Sequence, residues 1–260
     1  MKFCLNSRMA NSYLEKADEI SIDYRDRGQL LDFIEKYPKA QLIISISYLD
    51  EDIDWKQLGL ASRALNAKGR SLIARIPNLK YIDNCKEYNI KYFYGYEVDN
   101  FYELQTLLKY DVCALCIGPQ LSHSLIYLPD IIPLNVELRH TLGRAISSEL
   151  MDISFAPYGY WVRPEDIDFY EQYYSTYEIL GHGSQAEAMY RIYAEQKSWS
   201  GDLTMIVKDM TINATNRMIP PDLAERRARC EMICLNNGMC NKCERLLKLA
   251  NPDLLRDYKK

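Results

Sequence analysis

The feature that most constrains this chain is the alternation, over its first two-thirds, of short β-branched runs with amphipathic stretches. Runs at 2–6, 19–24, 41–47, 71–77, 91–98, 112–118, 133–139 and 159–163 predict strands. Between them, 28–37, 55–68, 79–88 and 101–110 carry apolar residues at helical spacing, with Leu30, Leu31, Ile34 and Tyr37 forming one stripe. Strands that alternate with helices of this length argue for parallel βαβ units. The face pattern then separates two architectures. Ile20 and Ile22 alternate with Ser21 and Asp23, and Leu134, Val136 and Leu138 alternate with Asn135, Glu137 and Arg139. A sheet covered by helices on both faces would read as nearly continuous hydrophobics. One apolar face with a second face that turns polar fits a closed barrel with helices outside and a polar mouth. The expectation is therefore an α/β fold, a compact (β/α)8 TIM-type barrel with a helical, cysteine-rich C-terminal extension. A doubly wound open sheet is the competitor, because the run at 159–163 has the weakest pattern of the eight.

Domain boundaries follow from where this pattern stops. After Arg163, Pro164-Glu165-Asp166 reads as a helix start, 176–180 as a short strand, and 185–199 as an amphipathic helix. The expected layout is a barrel over 1–200, a connecting segment over 201–221 that ends at Pro220-Pro221, and a helical tail over 222–260. Of the 260 residues, 48% are hydrophobic and 26% charged, enough to bury a full core. A formal charge of −4 speaks against bulk nucleic-acid coating, including bulk DNA binding. No apolar run approaches the roughly 20 residues needed to cross a bilayer, and the first residues lack a signal-peptide apolar region. A cytoplasmic protein without membrane contact is the expectation.

The tail holds the sharpest local signal. Cys230-x3-Cys234-x5-Cys240-x2-Cys243 places two thiols one helical turn apart, then Asn236-Asn237-Gly238 as a turn, then a knuckle. Four clustered cysteines suit zinc or an iron–sulfur cluster, and the spacing alone leaves both open, beside two disulfides or four reduced thiols. Cys113 and Cys116 form a CxxC within a strand, where i and i+3 face opposite ways, so core packing is the better reading. A second group of residues sits where strands are expected to end: Asp23, Arg75, Glu97, Glu137, Arg139 and Arg163. On a barrel of this type, strand C-termini build the site. Arginines there can hold an anionic substrate while Glu97 or Glu137, with Arg139, serves acid–base chemistry. The bland alternative is an ion-pair network that plugs a small barrel. His182, between two glycines, lies in a plausible site loop. Arg226, Arg227, Arg229, Lys242, Arg245 and Lys248 make the tail locally basic, which would suit RNA or an acidic protein partner.

The stretch Trp161-Val162-Arg163-Pro164-Glu165-Asp166-Ile167 is followed by Thr176-Tyr177-Glu178-Ile179-Leu180-Gly181-His182-Gly183. With Ala186 and Tyr190-Arg191-Ile192-Tyr193, it resembles the collagenase-like peptidase family. The better-understood members of that family resemble O2-independent hydroxylases of RNA bases or quinone precursors, with four cysteines holding a [4Fe–4S] cluster. The resemblance thus implies hydroxylation, or a related modification, of an RNA base or small aromatic molecule, with [4Fe–4S] ahead of zinc. Peptide hydrolysis is an alternative that rests on the family label alone. A non-catalytic barrel with a zinc-stapled tail is the other. Two departures matter. The family places its cysteines around the late barrel strands, whereas here they cluster at 230–243, and the family's Gly-Arg turn is Gly181-His182-Gly183, without the arginine.

Overall fold

A computed structural model describes residues 1–118, 121–142, 162–196, 198–200 and 223–230. Eight parallel strands close into a barrel in sequence order, β1 Lys2–Asn6, β2 Glu19–Asp23, β3 Gln41–Ser45, β4 Ile73–Ile76, β5 Lys91–Val98, β6 Ala114–Ile117, β7 Glu137–Leu142 and β8 Thr176–Ile179. Helices lie between and after them: α1 Asn11–Leu14, α2 Leu30–Lys36, α3 Trp55–Asn66, α4 Ile82–Glu87, α5 Phe101–Leu107 and α6 Ile167–Tyr170, then, beyond β8, α7 Ser184–Tyr190 and α8 Leu223–Ala228. The crossover between β6 and β7 uses a kinked 3-10 segment, Leu121–Tyr127. The chain is a compact (β/α)8 barrel, and the open-sheet alternative is excluded by β8 pairing with both β7 and β1.

Two strand assignments need correction, and both move candidate residues. The closing strand is Thr176–Ile179 rather than the run at 159–163. Thr176, Tyr177, Glu178 and Ile179 are all buried, as a strand packed on both faces must be. Residues 159–161 lie outside the described residues, while Val162 and Arg163 lead into a 3-10 turn at Pro164–Asp166. The seventh strand begins, rather than ends, near Glu137 and runs to Leu142. Val136 N–H bonds the Pro133 carbonyl, a turn that uses up the 133–136 segment before the strand starts.

Local chemistry explains the helix and turn boundaries. Asp54 and Asn100 accept the N–H of Gln57 and Glu103 at 3.0 and 2.9 Å, capping α3 and α5. Gly69, at φ 70°, ends the turn after α3 in the left-handed region that an L side chain resists.

Period-two alternation decides the packing. Leu5, Ile20, Ile22, Leu42, Ile44 and Ala74 point outward into the layer shared with the helices and are fully buried. The other set, including Cys4, Ile43, Phe93, Ala114 and Cys116, forms a separate cluster inside the barrel. Lumen residues of such barrels are usually branched apolar side chains. Here charged pairs take much of that space. Gly95 makes room for one of them, since a Cβ there would lie 2.8 Å from Cγ of Arg75. Gly95→Ala is expected to cost about 1–3 kcal/mol, because the arginine stem would have to shift inside a packed lumen. A urea midpoint unchanged from the parent protein would refute this.

Candidate active site

Two ion pairs span the lumen. Arg75 on β4 reaches Glu178 on β8 with both terminal nitrogens, one of them at 2.7 Å. Arg139 on β7 holds Glu19 on β2 at 2.5 Å, with both side chains almost fully buried. The Phe93 ring lies beneath both guanidinium groups, with centroid distances of 5.4 and 5.0 Å. The neighbouring carboxylates hold both arginines above their ordinary pKa despite burial, so both guanidinium groups stay charged.

These pairs sit at different heights. Glu19 opens β2, and Arg139 lines a cavity at the N-terminal mouth of the barrel. Arg75 does not line that cavity, and its side chain is 20% exposed against 2% for Arg139. The exposed part of Arg75 therefore opens toward the C-terminal mouth. Around and above it the lumen positions are small and polar: Asn6, Ser21, Ser45, Gly95 and Thr141. The Ser21 and Ser45 hydroxyls meet at 2.8 Å. On the rim, Arg8 from the loop after β1 pairs with Asp26 at 2.8 Å and with Asp23 at 3.3 Å. Exposed His182 lies in the loop after β8, held between Gly181 and Gly183, both with φ near 80°. The arrangement is a polar cup with a partly open guanidinium at its floor, which can hold a small anionic or hydrogen-bonding group.

The six rim residues expected from the sequence are thus divided. Asp23 and Arg75 belong to the C-terminal mouth. Glu137 does not: as the first residue of β7 it lies at the N-terminal mouth, 2.7 Å from Lys2 Nζ. Arg139 lies in the lower lumen with Glu19. The rim placement fails for both because the strand begins where the hydrophobic alternation was read as ending. Glu97 lies at the C-terminal end of β5, where pairing with β6 shifts between Tyr94 and Val98, and it lines a groove with Tyr94, Tyr96 and Tyr102. Arg163 follows no barrel strand among the described residues, and both its Nε and Nη2 donate to Asp166, the first at 2.6 Å.

The barrel cysteines behave as core. Cys4 and Cys116 are buried in the lumen, Cys85 is buried on α4, and Cys113 sits half-buried just before β6; all four are free thiols. Burial pushes the Cys85 and Cys113 thiols up to about 12, and Cys4 and Cys116 also upward. A raised folded-state pKa means that stability is fully present below the unfolded thiol value and is lost as pH rises above it. Urea midpoints should hold to about pH 8.5 and fall above it, by up to about 1.4 kcal/mol per pH unit for each fully buried thiol. Cys85→Ala and Cys116→Ala should flatten that decline. An equally steep decline in the double variant would overturn this account.

Of the four tail cysteines, Cys230 alone lies among the described residues, and it is half-buried. Its carbonyl accepts from Ser124 Oγ at 3.1 Å, which docks the end of α8 on the β6–β7 crossover. Cys234, Cys240 and Cys243 lie outside the described residues, as do Lys242, Arg245 and Lys248. Among the described residues, no cluster of three metal-ligating side chains occurs, and no helix is long and apolar enough to cross a membrane. Glu19, Glu178, Phe93 and Gly95 were not singled out from the sequence. The signal for Glu19 was present, since it shares a strand face with Ser21. No family model matches the chain, and no curated protein matches it.

Proposed function

We propose that this chain is a small barrel enzyme acting at its C-terminal mouth, with a four-cysteine metal centre in its tail. The single observation that carries the reading is the partly open Arg75–Glu178 pair beneath a ring of small polar residues. Barrels of this type place chemistry at that end, and a lumen meant only as core would close it with branched apolar side chains. Arg75 would bind the anionic or polar part of the substrate, with Asp23 and His182 on the rim. Glu97, in the tyrosine-lined groove beside the mouth, would contact an aromatic substrate. The resemblance to collagenase-like peptidases makes that substrate an RNA base or a small aromatic molecule and the reaction a hydroxylation or related modification. Cys230, Cys234, Cys240 and Cys243 would hold the metal, [4Fe–4S] ahead of zinc. The cluster, when bound, supplies electron transfer. Docking of Cys230 on the β6–β7 crossover supports a centre joined to the barrel.

One observation favours a second reading. The Arg139–Glu19 pair, with Phe93, blocks the lower lumen as a structural plug would, and a plugged barrel with a zinc-stapled basic tail would serve as a binding module. Metal and sulfide analysis of protein purified without oxygen separates the two. About four iron and four sulfide per chain, with visible absorption lost in a Cys240→Ser/Cys243→Ser variant, supports the enzyme. About one zinc and no colour supports the binding module. Neither metal overturns both.

A further inference from the structure

The N-terminal mouth of the barrel, opposite the cup described above, holds a polar cavity of about 650 Å³. That size falls within the range of small-molecule sites. Its charges are not mixed evenly. Of the four acids that line it, three are engaged, Glu19 by Arg139, Glu137 by Lys2, and Asp18 by the N–H of Phe3 at 2.8 Å, and the fourth, Glu15, is exposed. On the β3, β4 and β5 side the wall carries Lys39, Arg70 and Lys91. Among the described residues, none of these three has a carboxylate partner. Arg70 is the decisive member. Its Nη2 donates to the carbonyls of Ala40 and Tyr37, while its Nη1 is buried with no hydrogen-bond partner. Nε of Arg139, which also lines the cavity, is likewise buried and unpartnered. Burial without a counter-charge lowers the Arg70 pKa, the cost that an anion would relieve.

We infer that this mouth is a binding site for a small dianion, a phosphate group in chemical class, held by Arg70 with Lys39 and Lys91 closing over it. Guanidinium groups suit phosphate oxygens through paired N–H donors, and the two lysines add charge without fixed geometry. The site is separate from the C-terminal cup, so a molecule bound here acts from the opposite end of the lumen and stands independently of the proposed reaction.

The test uses the full chain in phosphate-free, low-salt buffer, titrated with inorganic phosphate by calorimetry and by amide chemical shifts. The expected result is saturable binding of one phosphate per chain, with shifts concentrated at residues 39–41, 70–73 and 91. Lys39→Ala and Lys91→Ala should each weaken it about three- to tenfold, with the double variant weaker still. Both lysines are exposed, so these variants keep the fold even if Arg70→Gln, which uncaps two carbonyls, does not. Two results would overturn the inference. One is no saturation by about 10 mM phosphate, well past the millimolar affinity of a weak site. The other is binding that the double lysine variant leaves unchanged, which would place the anion elsewhere on the surface.

Discussion

Arg139→Met is expected to destabilise the protein by about 3–5 kcal/mol, because it leaves the Glu19 carboxylate buried without its partner. The physical asymmetry matters more than the pair's net worth. Forming a buried pair roughly offsets the desolvation of both ions, whereas removing one ion leaves the whole penalty on the other. The double variant Glu19→Gln/Arg139→Met should therefore recover a large part of the loss. Lys2–Glu137 provides the control in the same mouth. Its side chains are 45% and 38% exposed, so Glu137→Gln should change stability by no more than about 1 kcal/mol. Chemical denaturation of the three variants reads all these effects. A loss below about 1 kcal/mol for Arg139→Met would mean that the lower lumen is hydrated, and the plug reading would fall with it.

Phe93→Ala should be comparably damaging, at about 3–5 kcal/mol, for a different reason. The ring is fully buried in the lumen, with both guanidinium groups over it. Truncation opens a cavity and removes the aromatic face that both arginines lie against. Phe93→Leu keeps most of the volume and loses only the face, so it should cost much less. Comparing the two separates packing from the cation–aromatic contribution. If leucine costs as much as alanine, the ring's electrostatics dominate and the cavity account is wrong.

Much of the barrel was legible because its determinants are local. The outward faces of β2 and β3 are runs of Ile and Leu at period two, and α3 and α5 carry their own caps. The errors arose where a strand boundary depended on a partner. Leu134, Val136 and Leu138 continue the alternation of β7 backwards, yet Leu134 is fully exposed and the strand starts at Glu137, where β6 offers Ala114 to pair with. The run at 159–163 looked like a strand, while the true closing strand, Thr176–Ile179, is only four residues long and is selected because it completes the pairing of β7 with β1. The pairing irregularity beside Glu97 belongs to two strands together, and no spacing in β5 alone encodes it.

The candidate site divides along the same line. Residue type and spacing identified Asp23, Arg75 and His182 as groups at the strand ends, and the polar inner face was visible in the alternation of β2 and β3. Tertiary structure alone decided which carboxylate each arginine faces. Arg75 finds Glu178, 103 positions away in sequence, and Arg139 finds Glu19, 120 positions away, because closing the sheet brings β4 opposite β8 and β7 near β2. Periodicity is a property of neighbouring residues and is therefore written in the chain itself; the partners of buried charges are set by closure of the barrel, which brings together positions that local sequence cannot relate.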